Sequence, residues 1–339
     1  MTISLRDARP SANWKDVISV MRPDLERVEE RVARVAQVNF PAAASIVSDI
    51  VSAGGKRLRP LVLLLAARGY RYAEHLEEIV TAAAGIELLH TASLVHDDTV
   101  DRSALRRGKP TLNSALSSSA AILIGDLLFA HSAMLAAATN SVRVVSIFAS
   151  TLGELCDGQL REMFEGQQLD QTREAYEIRT FGKTASLFAA STEMGAVLGQ
   201  APEGHIAALR QYGADLGMAF QIVDDLLDVT GGQAELGKPA GNDLRQGTVT
   251  LPVLLYSNHL NRESEAWRRL DAVVNGHNHD DADIEAVLTG IRASGAIEET
   301  TRVAESFAAR AKSALDLTPE SESRDLLAAI ADLAVSRTS

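Results

Sequence analysis

An all-α fold is predicted, on three observations. Apolar residues recur at helical spacing along nearly the whole chain, and no run alternates with a period of two. Gly and Pro fall between long periodic blocks, not at the close spacing of an all-β protein. Aromatic residues are only 4% of the 339 residues, few for strands, which favour Tyr, Phe and Trp. Apolar residues at 46% and charged residues at 23% are globular values. No linker-like composition shift divides the chain. It reads as one domain over 1–339, with a short flexible extension over 1–14.

The breaks between helices fall in order at Gly54-Gly55, Arg107 to Pro110, Gly166, Gly199 to Pro202, Gly231-Gly232, Gly237 to Gly247 and Asn275 to Asp283. A further break at Gly182 is expected to bare backbone N–H groups beside Lys183 and Thr184. The helices between these breaks run to about 12 to 25 residues, longer than the average helix. The most apolar run, Ala120 to Thr139, is long enough to span a bilayer, but it contains Asp126 and His131. A carboxylate in lipid is costly, so the run is expected to be a buried helix, with no transmembrane segment. The N-terminus lacks a basic-then-apolar pattern, and a cytoplasmic location is expected.

Lys and Arg number 33 against 45 Asp and Glu, a net charge of −12. That excludes a general nucleic-acid or anionic-membrane surface, which must be basic. The single cysteine, Cys156, rules out an internal disulfide and fits a reducing compartment. It has no basic neighbour to activate it, so buried packing is expected.

Two aspartate triads carry the chemistry. Asp97, Asp98 and Asp101 stand at i, i+1, i+4, and Asp224, Asp225 and Asp228 repeat that spacing. Positions i and i+4 share one helix face, so each triad gathers carboxylates toward one point. Around the second triad, Gln221, Asp224, Asp225 and Asp228 form a narrow polar stripe. The rest of the circumference is Met218, Phe220, Ile222, Val223, Leu226, Leu227 and Val229. A helix apolar on most sides is buried, so its acidic stripe must face a polar cavity. His90, Asp97 and Asp101 form a similar stripe among Ile86, Leu88, Leu89, Leu94 and Val95. Carboxylates about 5 Å apart repel by a few kcal/mol per pair at an effective dielectric near 20. Cations remove that cost, and all-oxygen ligands suit Mg²⁺, which keeps waters and shares phosphate oxygens.

Basic residues flank both triads. They are Lys56, Arg57 and Arg59 in Gly54-Gly-Lys-Arg-Leu-Arg-Pro60, then Arg106 and Arg107 in Arg106-Arg-Gly-Lys-Pro110, then Lys183 and Lys238. Arg forks suit phosphate oxygens and Lys adds point charge. By contrast His277, His279, Asp280, Asp281 and Asp283 lie in a polar stretch without an apolar frame, and read as a solvated loop.

With these motifs in family order over about residues 50 to 255, the sequence resembles the all-trans isoprenyl (polyprenyl) diphosphate synthases. Leu89-His-Thr-Ala-Ser-Leu-Val-His-Asp-Asp-Thr-Val-Asp101, Gly125-Asp126, Lys183-Thr184, Phe220-Gln-Ile-Val-Asp-Asp-Leu-Leu-Asp228 and Gly237-Lys238 complete the match. The resemblance implies an orthogonal bundle of long helices around a central cavity, and a homodimer. It implies an allylic diphosphate bound by both triads through three Mg²⁺, with isopentenyl diphosphate beside it. Lys56, Arg59, His90 and Arg107 would hold isopentenyl diphosphate. Arg106, Lys183 and Lys238 would contact the allylic diphosphate, and Thr184 and Gln221 would steady the reacting allyl group. Weak membrane association would come only through the lipid product.

The sequence departs from the family in two places. Thr248 stands where many relatives carry a second loop lysine, and Arg102 follows the first triad where many long-chain relatives are acidic. Product length, by the same resemblance, depends on the turns beneath the first triad. Ser93 lies four residues before Asp97 with Ala92 beside it, and farnesyl-type relatives place bulky aromatics there. Small residues imply a product longer than 15 carbons, of about 30 to 50; geranylgeranyl diphosphate, with 20, is the alternative. Leu89, Ile86 and Gly85, with Met134, Leu135 and Ala136 on a second helix, are deeper candidates. A terpene cyclase would lack the second triad and the basic set, and a non-catalytic subunit of a two-component synthase would have lost aspartates; all six are present.

Overall fold

The computed structural model describes residues 13–35, 41–52, 56–106, 108–231, 240–276 and 280–336. Residues 1–12, Gly54, Gly55, Arg107, Gly237, Lys238, His277 and His279 lie outside the described residues.

The chain is a succession of helices. α1 (Trp14–Val35) starts at Asn13, whose side-chain oxygen accepts from the N–H groups of Lys15 and Asp16. Val17, Met21, Leu25, Val28 and Val32 form its buried stripe at helical spacing. α2 (Pro41–Ser52) and α3 (Leu58–Arg68) follow, and α3 is buried from Pro60 to Ala67. α4 (Leu76–Val100) is buried nearly continuously from Ile79 to Ala92 and carries the first triad at its C-terminal end. A two-residue antiparallel ladder comes next: Leu105–Arg106 (β1) pairs with Lys109–Pro110 (β2), turned at Gly108 with φ 76°.

α5 (Leu112–Ala115), α6 (Ser118–Ala138), α7 (Val142–Glu165) and α8 (Arg173–Thr180) are each capped by a Ser or Thr hydroxyl, from Thr111, Ser117, Ser141 and Thr172. α9 (Ser186–Leu198) continues from α8 through a π-helical turn, and α10 (Glu203–Thr230) carries the second triad on its last turns. α11 (Asn242–Arg245), α12 (Leu251–His259), α13 (Glu265–Val274), α14 (Asp281–Ala293), α15 (Ala296–Ala314) and α16 (Glu322–Val335) complete the chain.

α4 packs along α6, and α10 lies between α9 and α15. Two apolar clusters meet along α10. Leu209, Tyr212 and Leu216 belong to the cluster built on α1, α3, α4 and α9; Met218, Ile222 and Val223 belong to one built on α12 to α15.

Three expectations are corrected. Gly182 is not a break: the chain stays helical through the π-turn Phe181–Ala185. Its glycine serves close packing, because a Cβ there would sit 2.8 Å from the Glu154 carbonyl oxygen and 2.9 Å from the Gly158 Cα of α7. The Ala120 to Thr139 run buries only one face. α6 sets Ile124, Leu128, Ser132 and Leu135 inward and leaves Ile122, Leu123 and Met134 exposed. Cys156 is exposed on α7 rather than buried. The Gly125 of the Gly125-Asp126 pair also has a packing reason: a Cβ there would lie 2.2 Å from the His96 Nε2, whose ring rests edge-on to Phe129.

Candidate active site

The C-terminal ends of α4 and α10 bring the two triads to one site, joined by the π-turn and the end of α7. Lys183 forms an ion pair with Glu162 of α7 and also interacts with Asp97 and Asp101. Burial pulls the Lys183 ammonium down, but Glu162, Asp97 and Asp101 outweigh it and the net shift is upward. Burial pushes Asp97 up to about 6, with Asp101 and Glu162 adding and Lys183 and Arg106 opposing. Asp101 is raised by the same cause. Asp243 of α11 is raised well above its ordinary range, first by burial and then by Asp228, Asp225 and Glu162. Glu162 and Lys183 therefore sense the first triad and Asp243, and Asp243 in turn senses Asp225 and Asp228 of the second.

The six aspartates play unequal parts. Asp98 is buried and takes both of its oxygens to the Arg106 Nε, at 2.9 and 2.8 Å. Asp225 accepts from the Tyr176 hydroxyl at 2.6 Å and from the Gln221 Nε2 at 2.9 Å. Burial raises Asp225 to about 7 despite these bonds. Asp228 accepts the backbone N–H groups of Asn242 and Asp243 at 3.1 Å each, and so caps α11. Among the described residues no three acidic or imidazole side chains converge on one point. What the site presents is buried carboxylate in excess of cations, with several groups held above their ordinary pKa. That donor set fits a hard divalent cation that keeps waters and shares ligands with a phosphate.

The anion-facing side is built at the start of α3. Arg57 takes a left-handed conformation, φ 47° and ψ 44°. Its guanidinium is pinned by the buried Glu87 at 2.7 Å, by the Val51 carbonyl at 3.0 Å and by Glu29 at 3.2 Å. The neighbouring Arg59 lies over the Phe188 ring at 4.7 Å, and its buried Nε makes no hydrogen bond to the protein. Burial lowers it to about 10, with Glu87 and Asp224 opposing. It stays charged at neutral pH with a donor unmet. Lys56 is exposed, over the Trp14 ring at 4.3 Å. His90 is half-buried on α4, two turns before Asp97. Thr184 donates to the Gln221 Oε1 at 2.8 Å, which brings those two predicted residues together.

Comparison with known proteins decides the family. The polyprenyl synthetase family model matches residues 41–291. The chain belongs to the polyprenyl synthetase family. This polyprenyl synthetase is 39% identical to the heptaprenyl diphosphate synthase component 2 of Geobacillus stearothermophilus, over 92% of this chain and 95% of that one. It is 35% identical to the octaprenyl diphosphate synthase of Escherichia coli, over 93% and 99%. Its structure matches that of a polyprenyl synthase from Caulobacter crescentus, complexed with calcium and isoprenyl diphosphate, at a TM-score of 0.89, 35% identity and coverage of 98% and 100%. The polyprenyl synthetase is thus an all-α prenyltransferase with the isoprenoid synthase fold, of the long-chain type its relatives exemplify.

Beneath the first triad, Ala92 and Leu89 are fully buried and Ser93 is half-buried. Met134 is corrected: it is 65% exposed, on the α6 face turned away from α4. Leu135 takes the inward place, 3.3 Å from where a Gly85 Cβ would stand. Thr248 is half-buried in a turn closed by its own N–H to the Asp243 carbonyl at 2.8 Å. Sequence reasoning missed Glu162, Asp243, Tyr176 and Glu87. Asp243 was signalled faintly, as an acid between two glycines in the loop after the second triad; the others sit on helix faces without any local pattern.

Proposed function

We propose that this polyprenyl synthetase uses Mg²⁺ to join isopentenyl diphosphate head-to-tail to an all-trans allylic diphosphate, and repeats the step to about 30 to 50 carbons. The observation carrying the reading is the joining of two acidic triads and a cationic wall in one site, above a wall of small and aliphatic side chains. Mg²⁺ supplies neutralisation of the negative charge that grows on the diphosphate as the allylic C–O bond breaks. Asp97, Asp101 and Asp224 are assigned to hold it, as three ions with substrate bound, while Asp98, Asp225 and Asp228 keep their helix ends in register.

Lys183, Arg106 and Lys238 take the allylic diphosphate, where fixed cations stabilise the leaving group without reorganisation. Lys56, Arg59, His90 and Arg107 take isopentenyl diphosphate, and the unmet Nε of Arg59 suits a phosphate oxygen. The C–O electron pair leaves with the diphosphate. The alkene of isopentenyl diphosphate forms the new C–C bond, and its lost proton goes to the departed diphosphate. The buried walls around Ala92 and Leu89 exclude water that would quench the cation.

A second copy of the chain is proposed to cover the exposed apolar side chains of α6 (Ile122, Leu123 and Met134) and of α7 (Val142, Leu160 and Met163). The protein is placed in the cytoplasm, touching membranes only through its lipid product. The test is diphosphate release by the purified protein with an allylic diphosphate. Release is expected only when isopentenyl diphosphate and Mg²⁺ are both present. Release from the allylic substrate alone would indicate a cyclase; none under any condition would indicate a subunit that needs a second component.

A further inference from the structure

A chain of hydrogen bonds runs from outside the predicted site to its reacting centre. The Tyr176 hydroxyl, on α8, donates to the Asp225 Oδ2 at 2.6 Å. The Gln221 Nε2 donates to the Asp225 Oδ1 at 2.9 Å, and the Thr184 hydroxyl donates to the Gln221 Oε1 at 2.8 Å. Tyr176 and Asp225 are buried, at 2% and 3% exposure. The direction of each bond follows from the one before. The Tyr176 hydroxyl and the Gln221 amide nitrogen each occupy one oxygen of Asp225, so the amide is left with its oxygen turned to Thr184. An amide oxygen only accepts, so the Thr184 hydroxyl must spend its single proton there. Its lone pairs are then all it has to offer to a group bound beside Lys183, the preceding residue.

We propose that Tyr176 is a positioning residue: through Asp225 and Gln221 it fixes the Thr184 hydroxyl with its lone pairs toward the allylic carbon, where positive charge develops. The inference rests on the prenyltransferase reading of the same site. A hydroxyl free to rotate can turn its proton toward the cation and oppose it; one held by the chain stabilises it without reorganisation. Ground-state binding of the diphosphates uses other residues, so the contribution belongs to kcat and not to KM.

Tyr176→Phe tests this, since it deletes the donor and keeps the ring. We expect kcat to fall about tenfold with KM for both diphosphates within about twofold of wild type. Affinity for an unreactive allylic thiolodiphosphate should not change. In a Thr184→Val background the same substitution should cost less than about twofold, because its route of action is gone. Gln221→Met cuts the chain one link later and should lower kcat at least as far, with KM for both diphosphates within about twofold of wild type, which keeps the test open if Tyr176→Phe folds poorly. Unchanged kcat in both variants, a loss shared equally by analogue binding, or full additivity with Thr184→Val would overturn the proposal. Failure of the wild type itself to release diphosphate with isopentenyl diphosphate would instead overturn the prenyltransferase reading.

Discussion

Asp97→Ala or Asp224→Ala lowers turnover at least about a hundredfold, since each removes a carboxylate assigned to the metal from a different helix. A hundredfold is about 2.7 kcal/mol of barrier, well within what a lost metal ligand costs. For Asp97→Ala, unfolding is not the expected cause, because burial makes the Asp97 charge a cost to the fold. Its carboxyl is raised to about 6 by burial and by Asp101 and Glu162. A raised acid stabilises the fold only while protonated, and loses that contribution as pH climbs from its ordinary value near 4 toward 6. At pH 7.5 the metal-free protein carries the whole cost of the buried charge. Asp97→Ala should therefore melt no lower than wild type without Mg²⁺, yet lose the rise in Tm that Mg²⁺ with a diphosphate brings. Steady-state turnover and thermal melts with and without Mg²⁺ check both halves. Near-wild-type turnover in either variant would refute the metal assignment.

Ala92→Phe should shorten the product to 15 or 20 carbons while leaving the first condensation intact. Ala92 is fully buried on α4, five residues before Asp97, so an aromatic ring there must fill space that elongation would use or push its neighbours aside. Pushing them aside costs about 1–3 kcal/mol of stability. Chromatography of the dephosphorylated products, beside a denaturant melt, separates the outcomes. Shortened products with a modest loss of stability place Ala92 on the tunnel wall. Unchanged length with a large loss of stability would mean that Ala92 is ordinary core.

The helices were readable because burial repeats every three to four residues. The second triad shows it best: Ile222, Val223, Leu226 and Val229 are buried and Gln221, Asp224 and Asp228 are not. Spacing alone could not show which partner each carboxylate finds. Asp98, Asp225 and Asp228 meet Arg106, Tyr176 and the first N–H groups of α11, which come from other elements. The π-turn was misread as a break because glycine in a sequence signals backbone freedom and close approach alike. Gly182 has ordinary helical surroundings, and the reason for it is the backbone of α7. The outward turn of Met134 was hidden for a related reason. A helix apolar on all sides looks buried, whether the second face meets its own chain or is left exposed.

The central claim is that one site lengthens an allylic diphosphate repeatedly with isopentenyl diphosphate. Its most direct test is to incubate the protein with farnesyl diphosphate, labelled isopentenyl diphosphate and Mg²⁺, and to size the labelled products. A ladder running past 20 carbons, abolished by chelation, is the predicted result. A ladder ending at 15 or 20 carbons would contradict the long-chain assignment, and no labelled product at all would contradict the condensation itself.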